Sequence, residues 1–186
     1  MLRKWSIALC LAVTSSAPLA AEVGGVKLAD KAAVGGQELV LNGAGIRTRA
    51  IFKVYVGSLY LPAKAGTFDA VLAKGPRRIQ MNLLRTLSAD QLADALADGL
   101  KENNSAAELD AVKAQSEQLT AIMKALGEAK EGDVVTLDFV DGATLVGFNG
   151  TAKGSIPGEA FNRALAKIWL GDKPVQADLK KAMLGG

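Results

Sequence analysis

Apolar positions alternate with a period of two over much of the first half of the chain, then recur at helical spacing, and finally return to alternation before a helical end. Residues 26–28 and 38–41 read as short strands separated by the Gly35-Gly36 turn signal, which predicts an opening hairpin. Asn42-Gly43-Ala44-Gly45 reads as a breaker cluster with glycines in a turn. A long strand is expected over 46–61, rich in β-branched and aromatic residues and free of proline until Pro62. From 51 to 61 both faces are apolar, because Phe52, Val54, Val56 and Tyr60 alternate with Ile51, Tyr55, Leu59 and Leu61, the pattern of a strand buried on two sides.

Thr67 is placed to cap a short helix that Gly75 would close. A second strand over 77–85 puts Ile79, Met81 and Leu83 on one side and Gln80 and Asn82 on a wetter one. Ser88 with Gln91, and Ser105 with Glu108, are capping-box patterns opening two amphipathic helices. The first carries Leu92, Ala95, Leu96 and Leu100; the second carries Leu109, Val112, Leu119, Ile122, Met123 and Leu126 up to Gly127. Strands over 133–140, 144–148 and 152–155 follow, joined by the hairpin signals Asp141-Gly142 and Asn149-Gly150. A helix with Pro157 in its first turn then presents Phe161, Leu165, Ile168 and Trp169, ends at Gly171, and gives way to a last short helix bearing Leu179 and Met183. This order predicts an α+β domain, an antiparallel sheet with helices gathered on one face.

The opening segment modifies that picture. Residues 1–21 have the layout of a secretory signal peptide, with Arg3 and Lys4, an apolar run over 7–13 and small residues at Ala20 and Ala21. The run is shorter than the ~20 residues a bilayer span needs, so no stable membrane insertion is expected after cleavage near Ala20 or Ala21. Leu9 stands before Cys10 where a lipoprotein site would want a small residue. The expectation is a periplasmic protein with one domain over 22–186. Removing Arg3 and Lys4 turns 22 basic against 19 acidic residues into 20 against 19, a near-neutral chain with no electrostatic footprint for nucleic acid. The chain has no histidine, and its single cysteine is Cys10. Thiolate nucleophiles, disulfides, Ser-His triads and nearly every zinc arrangement are thereby excluded from 22–186; no metal and no cofactor are expected.

Candidate chemistry is sparse. Gly43-x-Gly45 opens a strand rather than a helix, which argues against a dinucleotide loop. Arg47 and Arg49 stand at the entrance of the apolar strand, as rim residues or as a fixed cation at the mouth of an apolar pocket suited to a carboxylate or phenolate. Tyr55 and Tyr60 have opposite parity, so one surface holds at most one of them. A buried tyrosine hydroxyl needs a partner, either a ligand oxygen or a backbone carbonyl. Trp169 reads as packing, and Asp138, Asp141, Glu159 and Asp172 form no pair that spacing alone establishes.

Taken together, the segments NGAGIRTRAIFKVYVGSLYLP, PRRIQMNLLRTLSADQLADAL and FNRALAKIWLGDKPVQADLKKAMLG resemble the bacterial, exported branch of the chalcone isomerase-like family. The most specific parts are Gly45-x-Arg47 leading to Leu59-Tyr60-Leu61, and Ile168-Trp169-Leu170-Gly171 with Pro174. The resemblance implies an open-faced sandwich of a large antiparallel sheet covered by helices, with a ligand cleft between the layers. Plant members of the family cyclise chalcones, while relatives of the same fold bind fatty acids without catalysis. The resemblance gives Arg47 the position of an arginine that stabilises the enolate or positions the phenolate. Tyr55 falls where the enzymes have a threonine that orders a water, a departure because a phenol fills the space the water needs. The enzymes' tyrosine and asparagine would fall near Leu92 and Gly99, and neither residue donates a side-chain hydrogen bond.

Three functions follow as expectations: a non-catalytic periplasmic binder of a hydrophobic carboxylate such as a fatty acid, with Arg47 and Tyr55 as ligand-binding residues; an isomerase or intramolecular lyase acting on a chalcone-like or other enone; and an envelope interaction module using the helical face. The missing donors favour the first, since losing one such group costs on the order of a hundredfold in rate. On one straight strand, Arg47 and Tyr55 would stand roughly 26 Å apart. They share a site only if the chain turns between them.

Overall fold

The structure, a computed structural model, describes residues 19–73 and 75–186. Of the expected signal segment over 1–21, residues 1–18 lie outside the described residues, and the expected boundary at Ala20 or Ala21 falls within the first strand. In chain order the elements are β1 (Leu19–Val23), β2 (Val26–Ala29), β3 (Lys31–Val34), β4 (Gln37–Arg49), β5 (Phe52–Leu61), α1 (Phe68–Val71), β6 (Arg77–Leu83) and β7 (Leu87–Ser88). There follow α2 (Ala89–Asn103), α3 (Ala106–Ala111), α4 (Lys113–Ala125), β8 (Glu128–Ala129), β9 (Val134–Val140), β10 (Ala143–Phe148), β11 (Thr151–Pro157), α5 (Glu159–Leu170) and α6 (Ala177–Met183).

Seven strands form one sheet in the order β11-β10-β9-β6-β5-β4-β3, with every neighbouring pair antiparallel. Period-two burial drives it: Ile79, Met81 and Leu83 of β6, Val135, Leu137 and Phe139 of β9, and Leu59 and Leu61 of β5 all enter one core with Leu119, Met123, Phe161, Leu165, Ile168 and Trp169 from α4 and α5. The opposite face carries a smaller cluster of Leu28, Val34, Leu39, Leu41, Val56 and Tyr60, over which the β1–β2 ribbon lies. Both capping boxes are formed, Ser88 with Gln91 and Ser105 with Glu108. Asp141-Gly142 and Asn149-Gly150 make hairpin turns with positive φ at both residues. No described helix is long and apolar enough to cross a membrane.

Several boundaries differ from expectation. Gly35-Gly36 joins β3 to β4, while the strand at 26–29 pairs backward with β1. The short helix after Thr67 stops at Val71, its cap at Leu72, before Gly75. The helix expected from Ser105 to Gly127 breaks at Val112, whose buried side chain anchors the break in the core. Pro157 ends β11, and Gly158, at φ +135°, turns the chain into α5.

The two largest corrections concern the chain from Asn42 to Leu61. Strand β4 runs through Asn42-Gly43-Ala44-Gly45 without a turn, and none of these residues has positive φ. The expected strand over 46–61 is two strands, with a tight turn at Ala50-Ile51. Ala50 takes φ +53° there although its side chain is an ordinary one, so glycine and asparagine, the usual turn signals, are missing from the place where the chain reverses.

The glycines instead admit α6. A Cβ at Gly43 would overlap the Ala182 carbonyl oxygen and lie 2.9 Å from that of Met183; one at Gly45 would lie 2.8 Å from the Ala182 Cβ. Asn42 is an extra residue in β4, since Leu41 pairs with Tyr60 and Gly43 with Leu59. Its side-chain amide donates to the Met183 carbonyl at 2.7 Å and the Ala65 carbonyl at 2.9 Å, and its Oδ1 accepts from the Ala65 N–H at 2.8 Å. One bulged asparagine thereby satisfies a helix C-terminal carbonyl and the loop before α1.

Gly45→Ala is expected to destabilise the fold by about 1–3 kcal/mol through this overlap. In a double-mutant cycle by urea denaturation, Ala182→Gly should recover part of that loss as a favourable coupling, whereas strictly additive costs would show that the two positions do not meet.

Candidate functional site

The turn at Ala50-Ile51 folds β5 back on β4 so that Arg47 lies directly opposite Tyr55 in the ladder. Directly opposed residues have Cβ atoms about 5 Å apart and share one face of the sheet. For this pair it is the face covered by helices, because Tyr55 packs against the main core and its hydroxyl accepts the Trp169 Nε1–H of α5 at 2.9 Å. Tyr60, of the other parity, faces the smaller cluster and donates to the Ala29 carbonyl at 3.2 Å. Arg49 pairs with Phe52 at the exposed hairpin end, away from the Arg47–Tyr55 contact.

A second irregularity sets the remaining partners. Arg47 pairs with Tyr55 but Thr48 with Lys53, so Val54 is an extra residue in β5. The Thr48 N–H is taken by the side chain of Gln176, the N-cap residue of α6, at 2.8 Å. Gln176 Oε1 also accepts from Thr48 Oγ1 at 3.2 Å and Arg47 Nη1 at 3.4 Å, and its Nε2 donates to the Ile46 carbonyl at 3.2 Å. Arg47 Nη1 donates as well to the Thr48 carbonyl. The guanidinium is thus half-buried at the mouth of the layer between sheet and helices, where Gln176 ties it to α6.

The floor beside this pair is again glycine. A Cβ at Gly57 would lie 3.3 Å from both Leu179 Cδ1 and Tyr55 Cε2, and one at Gly45 would lie 3.3 Å from Leu179 Cδ1. Leu179, fully buried, fills the space above both glycines. Gln176 carries no motif and sequence reasoning missed it, while Leu179 is read only as an apolar position of the last helix; glycine recurring inside strands, at 43, 45 and 57, is the signal of close approach that could have found the seat of α6.

Burial pushes the Tyr55 phenol up to about 12, opposed by the Trp169 hydrogen bond and the Arg47 cation. Tyr55 therefore remains a neutral hydroxyl at physiological pH. Its oxygen already accepts from Trp169, and among the described residues none accepts its proton, so the phenol is a donor beside a cation. That combination has the donors an anionic oxygen requires and contains no base.

The other sequence candidates do not join this site. Asp138 is held by Arg78 in a bidentate pair at 2.6 and 2.7 Å. Glu159 lies at the start of α5, and Asp141 and Asp172 are exposed. Leu92 is half-buried on α2, and Gly99 packs so tightly on α5 that a Cβ would lie 2.8 Å from Ile168 Cγ2. Three surface cavities, of about 370, 400 and 460 Å³, are lined by other residues, and none reaches Arg47 or Tyr55.

Because the phenol is raised only in the folded state, its proton is retained there between about pH 10, where the unfolded chain loses it, and about 12. Its contribution to stability is complete below pH 10 and declines as pH rises toward 12. Alkaline denaturation curves of Tyr55→Phe should lack that part of the decline, and a spectrophotometric titration should show one tyrosine ionising near pH 12 in the wild type; superimposable stability profiles would contradict the assignment.

Comparison with known proteins agrees with the architecture. A family model described as chalcone isomerase-like matches residues 20–185. No curated protein sequence matches the chain. Among solved structures, an Arabidopsis thaliana fatty-acid binding protein superposes with a TM-score of 0.66 over 86% of this chain and 92% of that chain, at 14% identity. The mixed α and β architecture, with its seven-stranded antiparallel sheet, is that of the family's fold, and the chain belongs to the chalcone isomerase-like family.

Proposed function

We propose that the protein is a non-catalytic periplasmic binder of a hydrophobic carboxylate such as a fatty acid. The observation that carries this reading is the placement of Arg47 and Tyr55 opposite one another on the helix-covered face, a cation and a neutral phenol donor side by side. A carboxylate accepts from both, and hydrogen bonds to a charged group contribute more than neutral ones, about 1.5–3 kcal/mol each. The tail takes the position of Leu179 above Gly45 and Gly57, where the sheet carries no side chain of its own, and α6 moves outward to admit it. Each buried CH₂ adds about 0.8 kcal/mol. The fatty-acid binding protein of the same fold supports this chemistry. The periplasmic setting rests on the character of residues 1–21.

The isomerase reading is less well supported. Leu92 cannot donate, and the contact of Gly99 with Ile168 leaves no volume for a polar side chain. Arg47 and Tyr55 alone stabilise an anion without a group to move a proton.

Delipidated protein titrated calorimetrically with palmitate should bind it, and Arg47→Ala should weaken binding at least tenfold, about 1.4 kcal/mol. Leu179→Ala should bind more tightly while losing about 2–5 kcal/mol of stability. Equal affinity in wild type and Arg47→Ala would remove Arg47 from the site and with it the proposed mode of binding.

A further inference from the structure

Arg77 and Arg78 are consecutive residues of β6 that meet opposite environments. Arg78 points to the face away from the helices, where its Nε and Nη2 grip the two oxygens of Asp138. Arg77 points into the helix-covered face and is only 5% exposed, yet the same two atoms, Nε and Nη2, are buried with no hydrogen-bond partner among the described residues. The nearest described carboxylate oxygen to form an ion pair, Glu159 Oε1, stands 4.0 Å from Nη2, beyond hydrogen-bond reach, on a side chain that is 65% exposed. A buried charged donor without an acceptor is costly to keep.

The surroundings are shaped for an occupant. The guanidinium lies over the Phe139 ring with its carbon 5.0 Å from the ring centroid, a cation–π contact that holds it in place. Arg77 and Phe139 line a cavity of about 370 Å³ with Glu159 and Asn162 of α5 and with the apolar side chains of Leu72 and Pro76. Helix α5 begins there at Gly158, without a side-chain cap. Asn162 is already committed: its Oδ1 accepts from Thr144 Oγ1 at 2.6 Å, and its Nδ2 is 3.4 Å from Glu159 Oε2. Among the described residues the charged groups about the cavity are Arg77 and nearby Arg163 against Glu159 and Asp141. These charges balance while Glu159 is in place, and moving its carboxylate aside leaves one net positive charge for a single incoming carboxylate.

We propose that this cavity is a second binding site, for the carboxylate of a short-chain organic acid, held bidentately by Arg77 Nε and Nη2 as Asp138 is held by Arg78. The apolar wall at Leu72 and Pro76 takes the ligand's hydrocarbon part. Glu159 is the gate: its carboxylate sits across the Arg77 edge and is displaced when the ligand enters. The site lies six residues along β6 from Leu83, the partner of Tyr55, about 20 Å away, and it does not depend on the Arg47 reading.

The test is an NMR titration of the arginine Nε–H signals of the full chain with sodium butyrate, against sodium chloride at equal ionic strength. The Arg77 signal should shift saturably with butyrate and not with chloride, and Glu159→Ala, which removes the competing carboxylate, should tighten binding by about threefold to tenfold. By calorimetry, wild type should bind butyrate saturably and Arg77→Lys should not, while the palmitate affinity of the two is the same, which separates this site from the Arg47 pair. Should Arg77→Lys fail to fold, the comparison of wild type with Glu159→Ala decides. An Arg77 signal that responds to butyrate and chloride alike, or to neither anion in both proteins, would overturn the proposal and leave Glu159 as the intramolecular partner of Arg77.

Discussion

The close seating of α6 on the glycines of β4 and β5 is the contact on which the rest of the site depends. Side chains normally separate a helix from a sheet, but at Gly43 and Gly45 there are none, and Ala182 comes down onto the strand itself. That approach brings the Met183 carbonyl within reach of Asn42 and the Gln176 side chain within reach of the Thr48 N–H. Both ends of α6 are thus hydrogen-bonded to irregularities in the β4–β5 pair, one at each bulge. The bulges supply unpaired groups, and the helix ends supply their partners.

This arrangement explains why a cation and a phenol meet. Two extra residues, Asn42 in β4 and Val54 in β5, frame the short regular stretch in which Arg47 faces Tyr55. Moving the register by one residue would send one of the two to the opposite face. The α5 helix then contributes Trp169, which fixes the phenol oxygen, and α6 contributes Gln176, which restrains the guanidinium. Arg47 and Tyr55, both half-buried, thereby present a cation and a phenol side by side on the helix-covered face.

Much of the fold was legible because periodicity reports burial directly. Ile79, Met81 and Leu83, the two capping boxes, and the Asp141-Gly142 and Asn149-Gly150 hairpins lie where the sequence pattern puts them. The two largest failures lie between Asn42 and Leu61. Glycine serves equally for positive φ and for close approach, and at Asn42-Gly43-Ala44-Gly45 the second use applies, which only the tertiary position of α6 reveals. Conversely, the reversal at Ala50-Ile51 uses residues that carry no turn signal, so β4 and β5 read as one strand. Arg47 and Tyr55 were recognisable as residues, but their proximity was not, since it is created by that turn. Gln176 and Arg77 acquire their surroundings from partners distant in sequence, and no local pattern marks them; Leu179 is marked as an apolar helix position, but its seat on Gly45 and Gly57 is not.

The central claim is that a carboxylate docks between Arg47 and Tyr55 with its tail beneath α6. A crystal structure of the complex with a long-chain fatty acid carrying a terminal bromine tests it most directly. The account predicts the carboxylate within hydrogen-bond distance of the Arg47 guanidinium and the Tyr55 hydroxyl, with the anomalous bromine signal between the sheet and the displaced α6. A bromine signal in a surface groove, with Leu179 still seated on Gly45 and Gly57 and no ligand oxygen near Arg47, would contradict it.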